Sequence, residues 1–481
     1  MNTDEIVKEL SQLAISSGKL NPAEAERKAL LNEVAAYANR FISGLDKVKG
    51  FVEKEVADLS IKNNTSAIGD LLLQYQTEVA ENGINAASPK HLGYIPGGGV
   101  FASALADFIV AVTNPFASAY FASPGAAHME NKVVDWLKSV FLFPENSVGC
   151  LTSGGSVSTL IAFTAARDKF QIKNEKITGS VVYLSEQVHH STQKALRIIG
   201  LEDVIIRYIP IDKEHRIIPN SLNELIIKDK ANGLNPFLII ATAGTTDTGT
   251  VDPLNEIADV AGLHHLWFHI DGAYGGFFIL SSKKELFKGI ERADSLIVDP
   301  HKGLFLPYGV GAVLVKDSDA VLHSHYYTAN YMQDANNVEL LKSPANLSPE
   351  LTKHFRGLRV WLPLQLHGTE PFIACLEEKL LLTKYFRIQL NQRGFCTGPE
   401  PDLSVSYFWY PFILDEDQNN RLLMQEIHRD GAVFLSSSII DGRFVIRMAI
   451  LAFRTKKETI DEAVEMIERC LKKVQQNLQQ P

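Results

Sequence analysis

Between Val148 and Val315 the chain alternates apolar runs with amphipathic stretches, and this alternation constrains the fold more than any other feature. The runs are SVVYLS, VIIRYIPI, PFLIIATAG, LWFHIDGAY, SLIVDP and GVGAVLV. Most lack the period-two alternation of a half-exposed strand, as expected of strands covered on both faces. Helical segments such as SLNELIIKDKA and PLNEIADVAGLH separate several of them. A large, mostly parallel sheet with helices packed on its faces, an α/β layered domain, accommodates both observations. In such sheets ligands sit beyond the carboxyl ends of the strands, so the residues that follow each run are the ones to inspect.

The flanks have a different character. NPAEAERKALLNEVAAYANRFISGL predicts a helix with Asn21 as its cap, Pro22 in the first turn and Glu24 three residues after the cap. Leu30, Leu31, Val34, Ala38, Phe41 and Ile42 then share one face. The Gly/Pro-rich break GYIPGGGV, Gly93 to Val100, closes this helical region. The expected division is a helical segment over 1–92, a large α/β domain over 93–370 and a smaller C-terminal α/β domain over 371–481. The polar, tyrosine-bearing stretch from His325 to Phe355 is either a surface connection or a loop that closes over a site.

At 481 residues and 46% hydrophobic, the chain can bury a large core. A net charge of -9 argues against a nucleic acid or an anionic membrane as partner. The start MNTDEIVKEL lacks the basic and apolar regions of a secretory signal, and no apolar run approaches the roughly 18 residues that span a bilayer. Cys150, Cys375, Cys396 and Cys470 form no CxxC pair and no metal-binding spacing, which fits free thiols in a reducing cytoplasm. A soluble, cytoplasmic protein without a metal is the expectation.

The chemically suggestive residues all fall where a run stops. In CLTSGGSVSTLIAFTAARDKF a glycine-rich turn enters a helix, and backbone N–H groups around Gly154, Gly155 and Ser156 can hold a phosphate there. Neither GxGxxG nor GxxxxGK[ST] is present, which argues against a dinucleotide or a P-loop nucleotide. Thr245 and Thr246 follow one run, and Asp271 ends another ahead of the small residues Gly272 and Ala273. LSEQVHHSTQKAL supplies His189 and His190 at a strand-to-helix turn. SLIVDPHKG places Asp299, His301 and Lys302 beyond an apolar run, where an ammonium is costly to desolvate. Taken singly, each is most simply a cap, a turn or a satisfied core residue. Together, a phosphate cradle, a stacking imidazole, a strand-end carboxylate and a strand-end lysine describe a pyridoxal phosphate site. In that setting the lysine is expected to have a lowered pKa and to act as an amine nucleophile.

The ordered set LTSGGSVSTLIAFTAAR, SEQVHHS, ATAGTTDTGTVDPL, HIDGAYGG, DPHKG and FRGLRVW resembles the group II pyridoxal-phosphate-dependent amino-acid decarboxylases. That family includes the aromatic-L-amino-acid, glutamate and diaminobutyrate decarboxylases. HLGYIPGG, FASPGAAHMENKVVDWL and RFVIRMAI support the resemblance, which covers nearly the whole chain. It implies the pyridoxal-phosphate transferase fold of the aspartate aminotransferase type (fold type I). Lys302 matches the lysine that forms an imine with the cofactor, and Asp271 the carboxylate that pairs with the pyridinium nitrogen. His189, and not His190, matches the histidine stacked on one ring face, with Ala273 against the other. Gly155 and Ser156 match the phosphate-binding pair, Asp299 and His301 lie nearby, and Thr246 matches a hydroxyl near the cofactor. A loop tyrosine is implied as the proton donor to the product; of Tyr326, Tyr327 and Tyr331, the last is the favoured match.

The resemblance further implies a homodimer with the site at its interface, a dimer-forming role for the N-terminal segment, and an amino acid as small-molecule substrate. Val157-Ser158, Gly303 and His128 depart from many relatives, whereas Glu130 is retained. Tyr94, Pro96 and Phe121 match positions near the substrate side chain, and their apolar character favours an aromatic substrate over glutamate. A carbon–carbon lyase or an aminotransferase on the same fold is the alternative, because the fold does not choose which bond breaks. A silent binding protein is a third reading, opposed by the intact Lys302, Asp271 and His189.

Overall fold

The computed structural model describes residues 2–61, 63–327 and 340–479. The chain begins with α1 (Thr3–Ser17), α2 (Glu24–Gly44) and α3 (Ile68–Tyr75), beside a short antiparallel pair of β1 (Phe51–Val52) and β2 (Gly83–Ile84). Then come α4 (Phe101–Thr113) and α5 (Pro124–Val140). The expected cap at Asn21 is not formed. The helix starts at Glu24 with Ala23 as its cap residue, because the Ala23 carbonyl accepts the first backbone bond, from Arg27, while the Arg27 guanidinium occupies the Pro22 carbonyl. No residue of α1, α2 or α3 is buried.

The large sheet is built from β3 (Val148–Thr152), β4 (Ser180–Leu184), β5 (Ile205–Tyr208), β6 (Asn235–Thr242), β7 (Trp267–Asp271), β8 (Ser295–Val298) and β9 (Gly311–Val315). Their spatial order is β3-β9-β8-β7-β6-β4-β5. The pairs β8/β7, β7/β6, β6/β4 and β4/β5 are parallel, and β9 runs antiparallel between β3 and β8. The uninterrupted apolar runs follow from cover on both faces. In β6, Leu238 and Ile240 join the core under α6 (Gly155–Lys169) and α7 (Ser191–Ile198). Ile239 and Ala241 point the other way, to α8 (Pro219–Ala231) and α9 (Leu254–His264). Burying such side chains contributes about 1.5–3 kcal/mol each. β5 is the sheet edge and is only partly covered; there Arg207 reaches Asp229 at 3.0 Å, and the Tyr183 hydroxyl donates to the same carboxylate at 2.8 Å.

Beyond the short α10 (Pro300–Gly303) and α11 (Ser318–His325), the chain enters α12 (Gly357–His367) and α13 (Glu370–Asn391). The C-terminal part is a four-stranded antiparallel sheet, β10 (Cys396–Thr397), β11 (Val405–Trp409), β13 (Arg443–Ala449) and β12 (Ser436–Ile440) in spatial order. It packs with α14 (Glu416–Asp430) and α15 (Lys457–Leu478) around its own core. The stretch ahead of α12 is tied to the large sheet by a completely buried ion pair. Lys353 Nζ lies 2.6 Å from Glu130 Oε1 and also donates to the Leu151 carbonyl, while the Leu151 amide donates to Glu130. Among the described residues no helix is long and apolar enough to cross a membrane.

Candidate active site

Because β3, β4, β6, β7 and β8 all point the same way, their carboxyl ends open onto one edge of the sheet. There the chain forms a cavity of about 350 Å³, within the range of ordinary cofactor sites. Gly155, Ser156, His189, Thr246, Asp271, Ala273, Asp299, His301 and Lys302 all line it. Five separate strand ends deliver them, so only the topology brings them together. Tyr331 lies outside the described residues.

Asp299 is the N-cap residue of α10, and this single turn puts Lys302 back over its own cap. Lys302 Nζ sits 3.0 Å from Asp299 Oδ2. Burial works against the ammonium, but the Asp299 and Asp271 carboxylates outweigh it and hold the lysine pKa above its ordinary value. This corrects the lowered lysine pKa expected from the sequence: the groups facing Lys302 are anions, not cations. The second Asp299 oxygen is buried with no hydrogen-bond partner among the described residues, so the carboxylate has capacity left for another donor. His301 Nδ1 donates to the Val310 carbonyl at 2.6 Å, which turns Nε2 toward Asp299 at 3.7 Å.

Asp271 closes β7, and one of its oxygens accepts the Ala273 amide at 3.0 Å. Burial raises its pKa, so an opposing cation is needed for the carboxylate to rest comfortably. His189 is held by Ser191, whose amide donates to Nδ1 at 3.2 Å and whose hydroxyl lies 2.8 Å away. An accepting Nδ1 places the proton of the neutral ring on Nε2. Burial, with His190 and Lys302 nearby, pushes the His189 pKa down to about 4.

A flat ring bearing a phosphate fits these walls. A Cβ on Gly155 would lie 3.2 Å from Asp299 Oδ2 and 3.4 Å from the Ala273 methyl, so only glycine leaves this floor open. The first turn of α6 supplies backbone donors and a dipole for a dianion, with the Ser156 hydroxyl beside them. Asp271 offers a buried negative charge for a protonated ring nitrogen, and Lys302 an amine for an aldehyde.

Several contributors escaped the sequence reading. Ser191 orients His189, and Thr242, Gly244 and Tyr274 complete the cavity wall. From the C-terminal sheet, buried Arg447 donates through Nε to the Thr246 carbonyl at 2.9 Å and through Nη1 to Ser436. Ser191 stands two residues from His189 and was findable; Arg447 is far off in the chain, and its reach depends on how the C-terminal sheet docks.

Comparison with known proteins gives one consistent picture. Residues 52–410 match the model of the pyridoxal-dependent decarboxylase conserved domain. The chain is 35% identical over 408 residues to an aromatic-L-amino-acid decarboxylase of Bacillus atrophaeus, covering 83% of this chain and 84% of that one. It is 28% identical over 443 residues to tryptophan decarboxylase 2 of Oryza sativa subsp. japonica, covering 88% of each. The structure of Oryza sativa TDC with PLP and tryptamine superposes with a TM-score of 0.87 at 22% identity, over 94% of this chain and 99% of that one.

Proposed function

The chain belongs to the pyridoxal-dependent decarboxylase family and decarboxylates an L-amino acid with pyridoxal phosphate; from that premise we propose that its substrate is aromatic and that Lys302 is the residue joined to the cofactor. The observation that carries this reading is the convergence of nine cofactor-matching residues on one cavity, with the Lys302 amine 3.0 Å from Asp299.

Bound pyridoxal phosphate supplies an aldehyde for the amino group and a protonated ring that accepts the electron pair left by carbon dioxide. The chain's own residues set the conditions for this. Gly155, Ser156 and the first turn of α6 would hold the phosphate. Asp271 would keep a proton on the ring nitrogen by charge pairing in a buried place, the kind of preorganised contact worth about a hundredfold or more in rate. Asp299 holds the Lys302 ammonium in position, and the same carboxylate is a ready acceptor when that amine sheds its proton. His189, neutral at ordinary pH and fixed by Ser191, presents an uncharged face to the ring. Tyr331 is proposed as the acid that returns a proton to the product carbon.

The aromatic preference is supported by the Bacillus atrophaeus and Oryza sativa relatives and by the apolar Tyr94, Pro96 and Phe121. We also propose a cytoplasmic homodimer in which residues 1–92 form much of the interface, 93–370 carry the cofactor, and 371–481 form the smaller domain. Its support is α1, where Ile6, Leu10 and Leu13 are 44%, 60% and 58% exposed at helical spacing and no residue is buried. The four cysteines, all free, accord with a reducing compartment.

The test is carbon dioxide and amine release by cofactor-loaded protein across L-amino acids, from tyrosine, tryptophan and dopa to glutamate, aspartate and diaminobutyrate. Lysine-dependent release from an aromatic member is expected. Release only from an acidic member would overturn the aromatic assignment.

A further inference from the structure

The motif FRGLRVW has no part in the chemistry above, yet both its arginines grip one turn. Arg359 Nη1 donates to the Tyr308 carbonyl at 2.8 Å, and Arg356 Nε to the Gly309 carbonyl at 3.1 Å. The Val310 carbonyl is taken by His301 Nδ1. Three successive carbonyls are thereby pinned, two from α12 and its lead-in and one from the neighbour of Lys302. The arginines are themselves anchored: Arg359 Nε lies 2.8 Å from Asp107, and Arg356 reaches Glu350 at 3.3 Å. Gly309 has φ +98°, and a Cβ there would lie 3.1 Å from Arg359 Nη1, so the tight turn needs glycine.

What this fixed turn presents is the Tyr308 side chain. Its ring stands 5.7 Å from the His301 imidazole at 64°, an edge-to-face contact. His301 itself lines the cavity, so the phenol stands at its edge. Within the single chain the residue is nonetheless 56% exposed, and the hydrogen bond it makes among the described residues is through its carbonyl, not its hydroxyl. A large aromatic side chain, immobilised through its backbone, idle at its polar tip and set against the cavity-lining His301, is organised to meet something that arrives from outside. Lys302 marks where the substrate amino group must come, and the substrate side chain must extend away from it along the cavity edge.

We propose that Tyr308 is a specificity-determining residue: its ring walls the substrate side-chain site and its hydroxyl hydrogen-bonds a ring hydroxyl of a phenolic amino acid. This rests on the decarboxylase reading. A single hydrogen bond of this kind, net of water, is worth about tenfold. It acts alike on bound substrate and transition state, so it is read in KM more than in kcat.

The experiment compares L-tyrosine with L-phenylalanine in the cofactor-loaded wild type, Tyr308→Phe and Tyr308→Ala. Tyr308→Phe should lose about tenfold in kcat/KM for tyrosine, mostly through KM, and leave phenylalanine unchanged. Tyr308→Ala should raise KM for both, and Arg359→Met, which frees the turn, should erode the same selectivity. A parallel titration follows the visible absorption of bound cofactor as tyramine or phenethylamine is added, which reads recognition without turnover. If Tyr308→Phe leaves the tyrosine-to-phenylalanine ratio unchanged, or lowers both substrates equally, the proposal fails. If the wild type releases carbon dioxide from no amino acid, the decarboxylase reading fails instead. The amine titration then still decides Tyr308, by whether tyramine loses its advantage over phenethylamine in Tyr308→Phe.

Discussion

The carboxyl edge of the large sheet and the N-terminal helices use their residues in opposite ways. At the sheet edge, charged and polar groups are buried and held against one another: Lys302 on Asp299, the Asp271 carboxylate under the Ala273 amide, His189 on Ser191. Along α1, apolar side chains stand in the open and no residue is buried. Burying charge is expensive unless it serves a purpose, and exposing a contiguous apolar stripe is unfavourable unless something covers it. Both regions therefore point beyond the single chain, the first to a small charged ligand and the second to another apolar surface. The difference is that the sheet edge gathers its polar groups within one chain, while the exposed stripe of α1 is the surface that the proposed dimer would cover.

The sharpest break in this comparison is Lys302→Ala. It should reduce carbon dioxide release by on the order of a thousandfold or more, because among the described residues no other amine lines the cavity, while circular dichroism stays that of the folded protein.

Next in size is Lys353→Met, remote from the chemistry. It strands the Glu130 carboxylate in the core and should cost about 3–5 kcal/mol in denaturant unfolding. A loss under about 1 kcal/mol would mean that water reaches Glu130.

Asp271→Asn keeps the shape and removes the charge, and about a hundredfold to a thousandfold should go from kcat/KM with cofactor still bound. Unaltered rates would leave the buried carboxylate without a function.

The helices are tested by placing glutamate at Ile6, Leu10 and Leu13 together. Light scattering should then give half the native mass; an unchanged mass would assign that stripe to some other cover.

The smallest effect is a pH slope. His269, buried two residues before Asp271, has its pKa pushed down to about 3 by desolvation, against about 6.5 in an unfolded chain. Between those values the unfolded chain binds the proton and the folded one does not, so this residue's contribution to stability declines as pH falls from about 6.5. His269→Asn should lower the melting temperature less at pH 5 than at pH 7.5, relative to wild type. A difference that does not change with pH would show that His269 titrates normally in the fold.

The strand ends were legible in the sequence because their signals are local. PFLIIATAG and LWFHIDGAY each announce a covered strand and, at its end, the residue that lines the cavity; the order of motifs then carried the family. The seven-stranded sheet has the mostly parallel character read from those runs, but the reversed direction of β9 has no mark in GVGAVLV. Contacts between distant segments were also illegible. The grip of Arg447 on Thr246 and the Glu130–Lys353 pair join positions more than two hundred residues apart, and the two α12-side arginines reach the Tyr308 turn from about fifty residues away. Docking of elements fixes such pairs, and periodicity says nothing about docking. The cap expected at Asn21 failed for the converse reason: a local signal was overridden by one side chain, Arg27, taking the proline carbonyl.

The most direct test of the central claim is borohydride reduction of the cofactor-loaded protein, followed by peptide mass analysis. A stable phosphopyridoxyl adduct on Lys302 alone, abolished in Lys302→Ala, is expected. An adduct on a different lysine, or none in protein that still binds the cofactor, would contradict it.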